Sequence, residues 1–377
     1  MIETIMKKFR ETAADPLKMK DKYLAEGRKI VLMAPVYGPY EIVHSMGFVP
    51  MGVWGADVRL NEAKRYYPAF ICSIVQSITE LGMRGDYAGA SAIIIPGQCD
   101  SLKVLGENWK YAVPAIPYVP VVGPQNRRPA YARDFTRAGY ERVISDLEKI
   151  TGQSFSPAAL QASLAAYNRH NAMMREVSEA MAALPQISAR DRSAVFRSAF
   201  FMRVEEHTEL LEELLRELKN TRPEGEKIRV VTAGILADAP ALLQCFDDNG
   251  LQIVADDVAA ESRQYRTDIV IGDDPLHDLA DRFCRHDHCS VLYDPDKKRP
   301  EYIAGLAKQH DASGVILLMT KFCDPEEFDA PLVRRACEEA GLIVTEIETD
   351  RQMTGYEQAG TILETFREMV QLRREEL

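Results

Sequence analysis

Two apolar segments that each end at a Cys-Asp pair place the strongest constraint on what this chain can fold into. Residues 314–320 form an apolar run that stops at a Lys-Phe turn before Cys323-Asp324. Residues 92–95 form a second apolar run, which passes through a Pro-Gly-Gln turn into Cys99-Asp100. Short apolar runs bounded by turn residues are typical of strands buried on both faces of a parallel sheet. The repeat predicts one sheet in each half of the chain and one shared site.

The order of the predicted elements is also the same in the two halves. Strand, helix and strand follow one another at residues 29–34, 40–46 and 48–54, and again at residues 227–232, 238–248 and 251–255. After each Cys-Asp pair comes one further predicted strand, at residues 115–122 and 342–347. Strands that alternate with helices at this spacing favour parallel sheets built from right-handed crossovers. The predicted fold class is α/β, with two similar Rossmann- or flavodoxin-like parallel-sheet domains and the functional site in the crevice between them.

The middle of the chain is predicted to be helical. Residues 132–222 show helical apolar periods and no convincing strand, so they are interpreted as a helical linker or subdomain. The N-terminal α/β domain is placed at residues 1–131, where residues 1–27 are a charged helical lead-in. The C-terminal α/β domain is placed at residues 223–377 and closes with a helix over residues 356–376.

The composition excludes several classes of protein. The net charge of -11, without a basic stripe, argues against a nucleic-acid partner. The N-terminus lacks the apolar core of a signal peptide, and no stretch approaches the ~20 apolar residues of a membrane span. We therefore expect a cytoplasmic protein with no membrane partner. Seven scattered cysteines make a disulfide framework unexpected, which leaves the thiols as buried packing residues or as ligands.

Three cysteines are the candidate ligands of a metal centre. In open parallel sheets, ligands bind beyond the carboxyl ends of the strands, and Cys99 and Cys323 both follow predicted strand ends. Cys72 comes just before a predicted helix, where exposed amides and the helix dipole stabilise a thiolate. A small core residue is the alternative interpretation of Cys72, because two apolar residues precede it. Thiols from three distant loops fit zinc and an iron–sulfur cluster equally well, so spacing leaves both open.

The remaining four cysteines are predicted to be packing residues. Cys245 and Cys337 fall on apolar faces of predicted helices. Cys284 and Cys289 flank two histidines, a composition that also occurs in zinc sites. That segment is a single cluster without a second ligand pair at zinc-finger spacing, so packing is the favoured interpretation.

Known catalytic motifs are missing from the sequence. It has no Gly-x-Gly-x-x-Gly after an opening strand, no Walker A loop, no His-Glu-x-x-His and no Gly-x-Ser-x-Gly elbow. The pairs Asp256-Asp257 and Glu326-Glu327 are candidates for acid–base work, but adjacent carboxylates in loops are usually solvated. Asp256-Asp257 is the better candidate for the crevice, because it lies at a predicted strand end. The segment Glu205-Glu206-His207 is predicted to lie on the surface.

Seven short motifs, spread over nearly the whole chain, carry a family resemblance. They are Pro35-Val36-Tyr37 with Glu41-Ile42-Val43-His44; Pro50-Met51-Gly52-Val53-Trp54-Gly55; Pro68-Ala69-Phe70-Ile71-Cys72-Ser73; Pro96-Gly97-Gln98-Cys99-Asp100; Pro124-Gln125-Asn126-Arg127; Ala255-Asp256-Asp257 with Glu261-Ser262-Arg263-Gln264; and Lys321-Phe322-Cys323-Asp324-Pro325-Glu326-Glu327. Together they resemble the 2-hydroxyacyl-CoA dehydratase and benzoyl-CoA reductase family. The chain looks most similar to the smaller, β-type subunit of the (R)-2-hydroxyacyl-CoA dehydratases.

The resemblance implies a function for the three candidate cysteines. In the family, a [4Fe–4S] cluster is held at the positions that match Cys72, Cys99 and Cys323. The β-type subunit pairs with a larger α-type subunit, which carries a second cluster and the acyl-CoA substrate. A separate ATP-hydrolysing iron–sulfur activator injects one electron, and a ketyl radical then loses the 2-hydroxyl to give an enoyl-CoA. The resemblance thus implies an electron-relaying or electron-storing subunit of a hydro-lyase that works anaerobically as a heterodimer.

Two alternatives and one departure accompany this resemblance. The alternative within the family is the β-like subunit of a benzoyl-CoA reductase, and the segments 263–267 and 321–327 look more like the dehydratases. The alternative from another class is a non-catalytic, zinc-binding scaffold. Some relatives carry cysteines at positions matching residues 37–39 or near 256–257, and this chain has none there. A single cluster is therefore expected, whose fourth ligand would be water, a small sulfur species or a residue of the partner.

Overall fold

The first half of the chain forms a four-stranded parallel sheet. A computed structural model describes residues 2–376 of the protein. Apolar β-branched and methionine side chains fill the central strands, and Leu32 is paired with Met51 on one side and Ile93 on the other. The strands lie in the order β2-β1-β3-β4. Their bounds are β1 (Ile30–Met33), β2 (Val49–Gly52), β3 (Ala92–Pro96) and β4 (Tyr118–Val121).

The second half repeats this arrangement. Its strands lie in the equivalent order β6-β5-β7-β8 and are also all parallel. Their bounds are β5 (Ile228–Gly234), β6 (Leu251–Val258), β7 (Gly314–Thr320) and β8 (Ile343–Thr349). The expected pair of similar parallel-sheet units is confirmed, and the two Cys-ending strands β3 and β7 occupy the same place in their sheets.

Five helices belong to the first half. The start of the second helix has clear local causes. The Asp15 side chain accepts the Lys18 N–H, and Pro16 fills the first helical position, where no N–H is needed. The helices are α1 (Ile2–Ala14), α2 (Pro16–Ala25), α3 (Tyr40–Ser45), α4 (Ser73–Met83) and α5 (Asp100–Ala112). A short 3₁₀ turn, Ala63–Arg65, lies between β2 and α4.

Four long helices occupy the middle of the chain, as the apolar periods predicted. Ser156 caps the second of them by accepting the Ala159 N–H, and the first ends at Gly152, whose φ is 69°. The helices are α6 (Tyr131–Thr151), α7 (Pro157–Ala182), α8 (Ala189–Ser198) and α9 (Val204–Lys219). Helix α7 contacts α3 of the first half and β6 of the second. The domain boundaries at residues 131 and 222 stay a prediction.

Six helices complete the second half. The predicted helix over residues 238–248 begins two residues late, at Pro240, because Asp238 is held in the preceding turn by ion pairs to Arg197 and Arg351. The helices are α10 (Pro240–Asp248), α11 (Ser262–Tyr265), α12 (Pro275–Cys284), α13 (Arg299–Gln309), α14 (Asp324–Glu339) and α15 (Glu357–Glu375). No helix within residues 2–376 combines the length and the apolarity needed to cross a membrane.

One apolar core joins the two sheets. It contains Leu32 and Ile93 of the first sheet together with Val230, Ile316 and Leu318 of the second. Helix α12 of the second half packs against α6 and α7, and its apolar residues share a core with the first sheet. Residues that follow β3 and β7 line one cavity, so the carboxyl ends of these two strands face the same region of the molecule.

Gly314 at the start of β7 provides a test of how tightly the second sheet is packed. A Cβ at Gly314 would overlap the carbonyl oxygen of Ile343 and lie 2.8 Å from the ring of Phe366. We expect Gly314→Ala to lower the free energy of unfolding by about 2–3 kcal/mol, because backbone atoms cannot relax as a side chain would. Urea denaturation followed by circular dichroism measures this change.

The matched control is Gly305→Ala in the middle of α13. Nothing lies within 4 Å of a Cβ at Gly305, so the substitution should raise the free energy of unfolding by up to about 1 kcal/mol through helix propensity alone. Equal stability of the two variants would contradict the close approach of β7 to β8.

Candidate functional site

The three candidate cysteines occupy the same structural position in three different helices. Cys72 directly precedes α4, Cys99 directly precedes α5, and Cys323 directly precedes α14. The sequence predicted a helix start only for Cys72. Helix starts after Cys99 and Cys323 were also predictable. Each of these cysteines is followed by an aspartate, and an acidic residue in the first turn stabilises a helix N-terminus.

The structure brings these three cysteines together around one cavity. Cys72, Cys99 and Cys323 all line a cavity of about 480 Å³, which we call the thiol cavity, and Cys289 lines it as well. Cys72 is 9% exposed and belongs to the apolar core, so the packing and the ligand interpretations of this residue are compatible. The other two thiols are half-buried.

Burial and backbone amides act on these thiols in opposite directions. Burial raises the pKa of Cys72 to about 11, although the N–H groups of Ile74 and Val75 lower it. Burial likewise raises the pKa of Cys99 and of Cys323, and at Cys323 the carboxylate of Glu326 and then the nearby Cys72 and Cys99 add to the rise. The three sulfurs are therefore close enough to interact electrostatically. A positively charged group in the cavity would offset the cost of the thiolates.

The arrangement does not resemble a site for a single metal ion. Among residues 2–376, no group of three His, Cys, Asp or Glu side chains is close enough to hold one ion. The thiol cavity is also far larger than the ~30 Å³ that one water molecule occupies in the liquid. Thiols spread around a large cavity leave room for a group of several atoms.

The side chains of the second cysteine-rich segment, residues 284–289, contact several different partners. The sulfur of Cys289 accepts a hydrogen bond from the Tyr37 hydroxyl at 2.8 Å, whereas Cys284 is 3.8 Å from the hydroxyl of Thr136. The ring of His286 packs against Tyr37, and the ring of His288 stacks on Tyr302. Both sulfurs are buried, and Cys289 also lines the thiol cavity.

The prediction that the paired carboxylates are solvated is wrong for three of the four. Asp256 and Asp257 lie in β6 and are buried, and Glu326 is only 3% exposed, while Glu327 is exposed as expected. Asp256 forms an ion pair with Arg192. The carboxylates are buried because each has a guanidinium partner, which offsets the cost of taking the charge out of water.

Asp257 and Glu326 share a buried network of arginines. Asp257 is 2.8 Å from Arg263, 2.6 Å from Arg266 and 2.7 Å from Arg299. Glu326 is 3.1 Å from Arg263 and 2.8 Å from Arg299. Burial alone would raise the pKa of both carboxyls, but the guanidiniums hold both pKa values below the usual range.

This network fixes the segment that carries Cys323. Glu326 lies in the first turn of α14, three residues after Cys323, and its N–H donates to the Cys323 carbonyl at 2.9 Å. Arg299 also lines the thiol cavity. The arginines are the residues that sequence reasoning missed, although Arg263 stood inside one of the quoted motifs. Their role depends on contacts between distant parts of the chain.

His207 is a second correction, because it is fully buried rather than on the surface. It shares the buried face of α9 with Leu211, Leu214 and Leu218, at spacings of four, seven and eleven residues, so the helical period predicts its burial better than its charged neighbours do. Glu205 does remain partly exposed and pairs with His44 at 2.7 Å.

The chain resembles known proteins over nearly its whole length. Residues 35–370 match the family model described as "2-hydroxyglutaryl-CoA dehydratase, D-component". A relative named (R)-phenyllactyl-CoA dehydratase beta subunit, from Clostridium sporogenes, is 41% identical over 96% of this chain and 97% of its own length. The lactoyl-CoA dehydratase subunit beta of Anaerotignum propionicum is 40% identical over 98% and 99% of the two chains. The (R)-2-hydroxyglutaryl-CoA dehydratase subunit beta of Acidaminococcus fermentans is 35% identical over 97% and 99%.

The adjacent residues Glu326 and Glu327 allow a matched test of the arginine network. We expect Glu326→Gln to lower the free energy of unfolding by about 3–5 kcal/mol, because it leaves buried guanidinium charge without its partner. Glu327→Gln removes an exposed charge one residue away and should change it by less than about 0.5 kcal/mol. Urea denaturation at neutral pH compares the two variants.

The same network predicts the direction of a pH dependence. A carboxyl whose pKa is lowered by folding stabilises the protein above its ordinary pKa, and this contribution is lost as the pH falls. The stability of the natural protein should therefore decline below about pH 4.5, the ordinary pKa of a glutamate. Glu326→Gln should decline less steeply there; a parallel decline would contradict the role given to Glu326.

Proposed function

Since the chain belongs to the family of the 2-hydroxyglutaryl-CoA dehydratase D-component, we propose that it is the β-type subunit of an (R)-2-hydroxyacyl-CoA dehydratase. The complex would remove water from a 2-hydroxyacyl-CoA to give an enoyl-CoA, which makes it a hydro-lyase. Three relatives of similar length are named as beta subunits of such dehydratases, which supports a heteromeric complex.

We assign to Cys72, Cys99 and Cys323 the role of ligands of a [4Fe–4S] cluster. The observation that carries this assignment is the convergence on one cavity of three thiols that each stand at the N-cap position of a helix. Thiolates are the ligands that iron–sulfur clusters take, and the helix N-termini supply backbone amides that favour them. When bound, such a cluster would accept and release a single electron.

The remaining residues of the cavity hold and shield this group. The arginine network fixes the turn of Cys323, and the backbone N–H groups of Leu102 and Ser101 partly offset the rise that burial causes in the pKa of Cys99. The chain would thus store or relay an electron for the radical dehydration. An ATP-dependent iron–sulfur activator is the proposed source of that electron.

The rim of the thiol cavity favours a partner subunit over open solvent. Phe328 and Tyr293 line the cavity, yet their exposed fractions are 80% and 52%. Exposed aromatic side chains are enriched at protein interfaces. We propose that the larger α-type subunit covers this rim.

The substrate is proposed to bind mainly to that larger subunit. Two relatives at 41% and 40% identity carry the names of phenyllactyl-CoA and lactoyl-CoA enzymes, whose acyl groups differ by an aromatic ring. Beta subunits so similar in sequence to this chain thus serve acyl groups of different size. This pattern is expected when another subunit selects the acyl group.

Replacing one cysteine tests the cluster assignment. We expect Cys99→Ser, purified without oxygen, to lose the broad visible absorption and most of its iron and sulfide, from about four of each per chain to less than about one. Far-UV circular dichroism should stay unchanged, because Cys99 is only half-buried at the edge of the apolar core and serine is nearly the same size. Cys245→Ser, a partly exposed thiol on α10, is the matched control and should keep its iron.

Two results would overturn this assignment. Zinc in place of iron, with no visible absorption, would identify the non-catalytic scaffold instead. Full retention of iron and sulfide by Cys99→Ser would remove that residue from the ligand set.

The proposed complex can be tested by reconstitution. Co-expression of this chain with the product of a neighbouring gene should yield a stable heteromeric complex. With an activator, ATP and a panel of 2-hydroxyacyl-CoA thioesters, that complex should form an enoyl-CoA, and the preferred acyl group should change when the larger subunit is exchanged. Reduction of benzoyl-CoA without dehydration would favour the benzoyl-CoA reductase alternative.

A further inference from the structure

A second cavity adjoins the thiol cavity. Pro35 and Val36 line both, so their segment separates the two. The second cavity has a volume of about 100 Å³, which is enough for about three water molecules or for an organic molecule of about six heavy atoms or fewer. We call it the aromatic cavity, because its wall includes Tyr37, Tyr40, Trp54, Tyr140, Tyr167 and Phe200.

Several buried polar atoms of this wall lack a hydrogen-bond partner. Within residues 2–376, no partner is found for Oε2 of Glu41, Nε1 of Trp54, Nδ1 of His170 or Nε2 of His286. Each of these four side chains lines the aromatic cavity and is more than nine-tenths buried. Buried polar groups in native proteins are normally paired, so a group of unpaired ones around a cavity indicates a site for ordered water or for a polar ligand.

The protonation of His170 follows from a chain of hydrogen bonds. The Ser198 hydroxyl donates to the Val195 carbonyl at 2.9 Å, so Nε2 of His207, which contacts both groups, must be a donor there. Burial keeps His207 neutral, so its Nδ1 accepts from Nε2 of His170 at 2.9 Å. Burial also lowers the pKa of His170 to about 4, although the Asn171 side chain lies near enough to raise it slightly. His170 is therefore neutral, and its Nδ1 is an acceptor.

The charge of Glu41 is already balanced. Its Oε1 is 2.8 Å from Arg282, which lines the same cavity, and its Oε2 is left as an acceptor. The cavity thus presents two acceptors, on Glu41 and His170, and one obligatory donor, the indole N–H of Trp54, besides Nε2 of His286 and the hydroxyl of Tyr265, which can donate or accept. A charged ligand would lose its hydration there without meeting an unpaired opposite charge.

We propose that the aromatic cavity binds a small, uncharged hydroxycarbonyl compound. Its hydroxyl group would donate to Glu41 or His170, and its carbonyl oxygen would accept from Trp54. The remaining wall of aromatic and aliphatic side chains would enclose its carbon atoms. This site uses none of the three cysteines, so it stands independently of the proposed cluster.

Glycolamide is a suitable probe, because it has five heavy atoms, one hydroxyl, one carbonyl and no charge. We expect saturable binding to the full chain in ligand-observed NMR, with a dissociation constant on the order of 1 mM for so small a molecule. Its anionic counterpart, glycolate, should bind at least about tenfold more weakly, since its charge would be unpaired. A crystal soaked with glycolamide should show it between Glu41 and Trp54.

The chain offers a matched pair of variants, because it has only two tryptophans. Trp54→Phe removes the free indole N–H and should weaken glycolamide binding about three- to tenfold. Trp109→Phe removes an indole N–H that donates to the Ile116 carbonyl, outside the cavity, and should leave the affinity unchanged. Glu41→Gln, which removes the charge and converts one oxygen into a donor, should weaken binding as well and serves if Trp54→Phe does not fold.

The proposal is overturned if the cavity holds ordered water only and glycolamide shows no saturable binding. It is equally overturned if glycolate binds as well as glycolamide, or if Trp54→Phe and Glu41→Gln both bind like Trp109→Phe. Cys99→Ser should bind glycolamide as the natural protein does. A failure of the cluster assignment and a failure of this site are therefore distinguishable.

Discussion

The parallel direction of all eight strands is the constraint on which the rest of the structure depends. A parallel strand must be followed by a crossover, and the helix of each crossover begins near the edge at which the strand ended. Cys99 and Cys323 lie in two such turns, and Cys72 lies in a third segment that ends at a helix start. Three helix N-termini are thereby directed at one cavity, and the thiols that precede them meet there.

Buried guanidinium groups set the positions of these turns. On the side of Cys323, Arg263 and Arg299 hold the first turn of α14 through Glu326. On the side of Cys72, Arg351 pairs with Asp238, and its backbone N–H donates to the Ser73 hydroxyl at 3.1 Å. Buried ion pairs of this kind fix the relative orientation of the groups that they join, which an apolar core alone would not do. The two halves of the chain are thus tied at the same place where the thiols converge.

The sequence predicted those features that depend on local pattern. The apolar runs of β3 and β7 and the repeated order of elements were sufficient for two parallel sheets, and the turns after those strands were sufficient to select Cys99 and Cys323. Burial of Glu326 was missed because its partners are remote: Arg263 lies 63 residues away and Arg299 lies 27 residues away. Asp257 was missed although Arg263 and Arg266 follow it by six and nine residues, because only the fold brings Arg299, 42 residues away, to the same carboxylate. His207 was missed for a similar reason, since its partner His170 is 37 residues away, although the apolar period of α9 already marked its face as buried. Ion pairs do not follow the period of a helix or a strand, so no local sequence pattern predicts them.

The separation of the three cysteines along the chain bears on how the protein is made. Cys72 and Cys99 leave the ribosome early, but they face an unfinished cavity until Cys323 and the strand before it have been synthesised. Strand β7 lies between β5 and β8 in its sheet, so it is held on both sides only after the last strand has also emerged. Any group that needs all three thiols can thus be inserted only after Cys323 has been synthesised, when every strand of the first sheet has long left the ribosome.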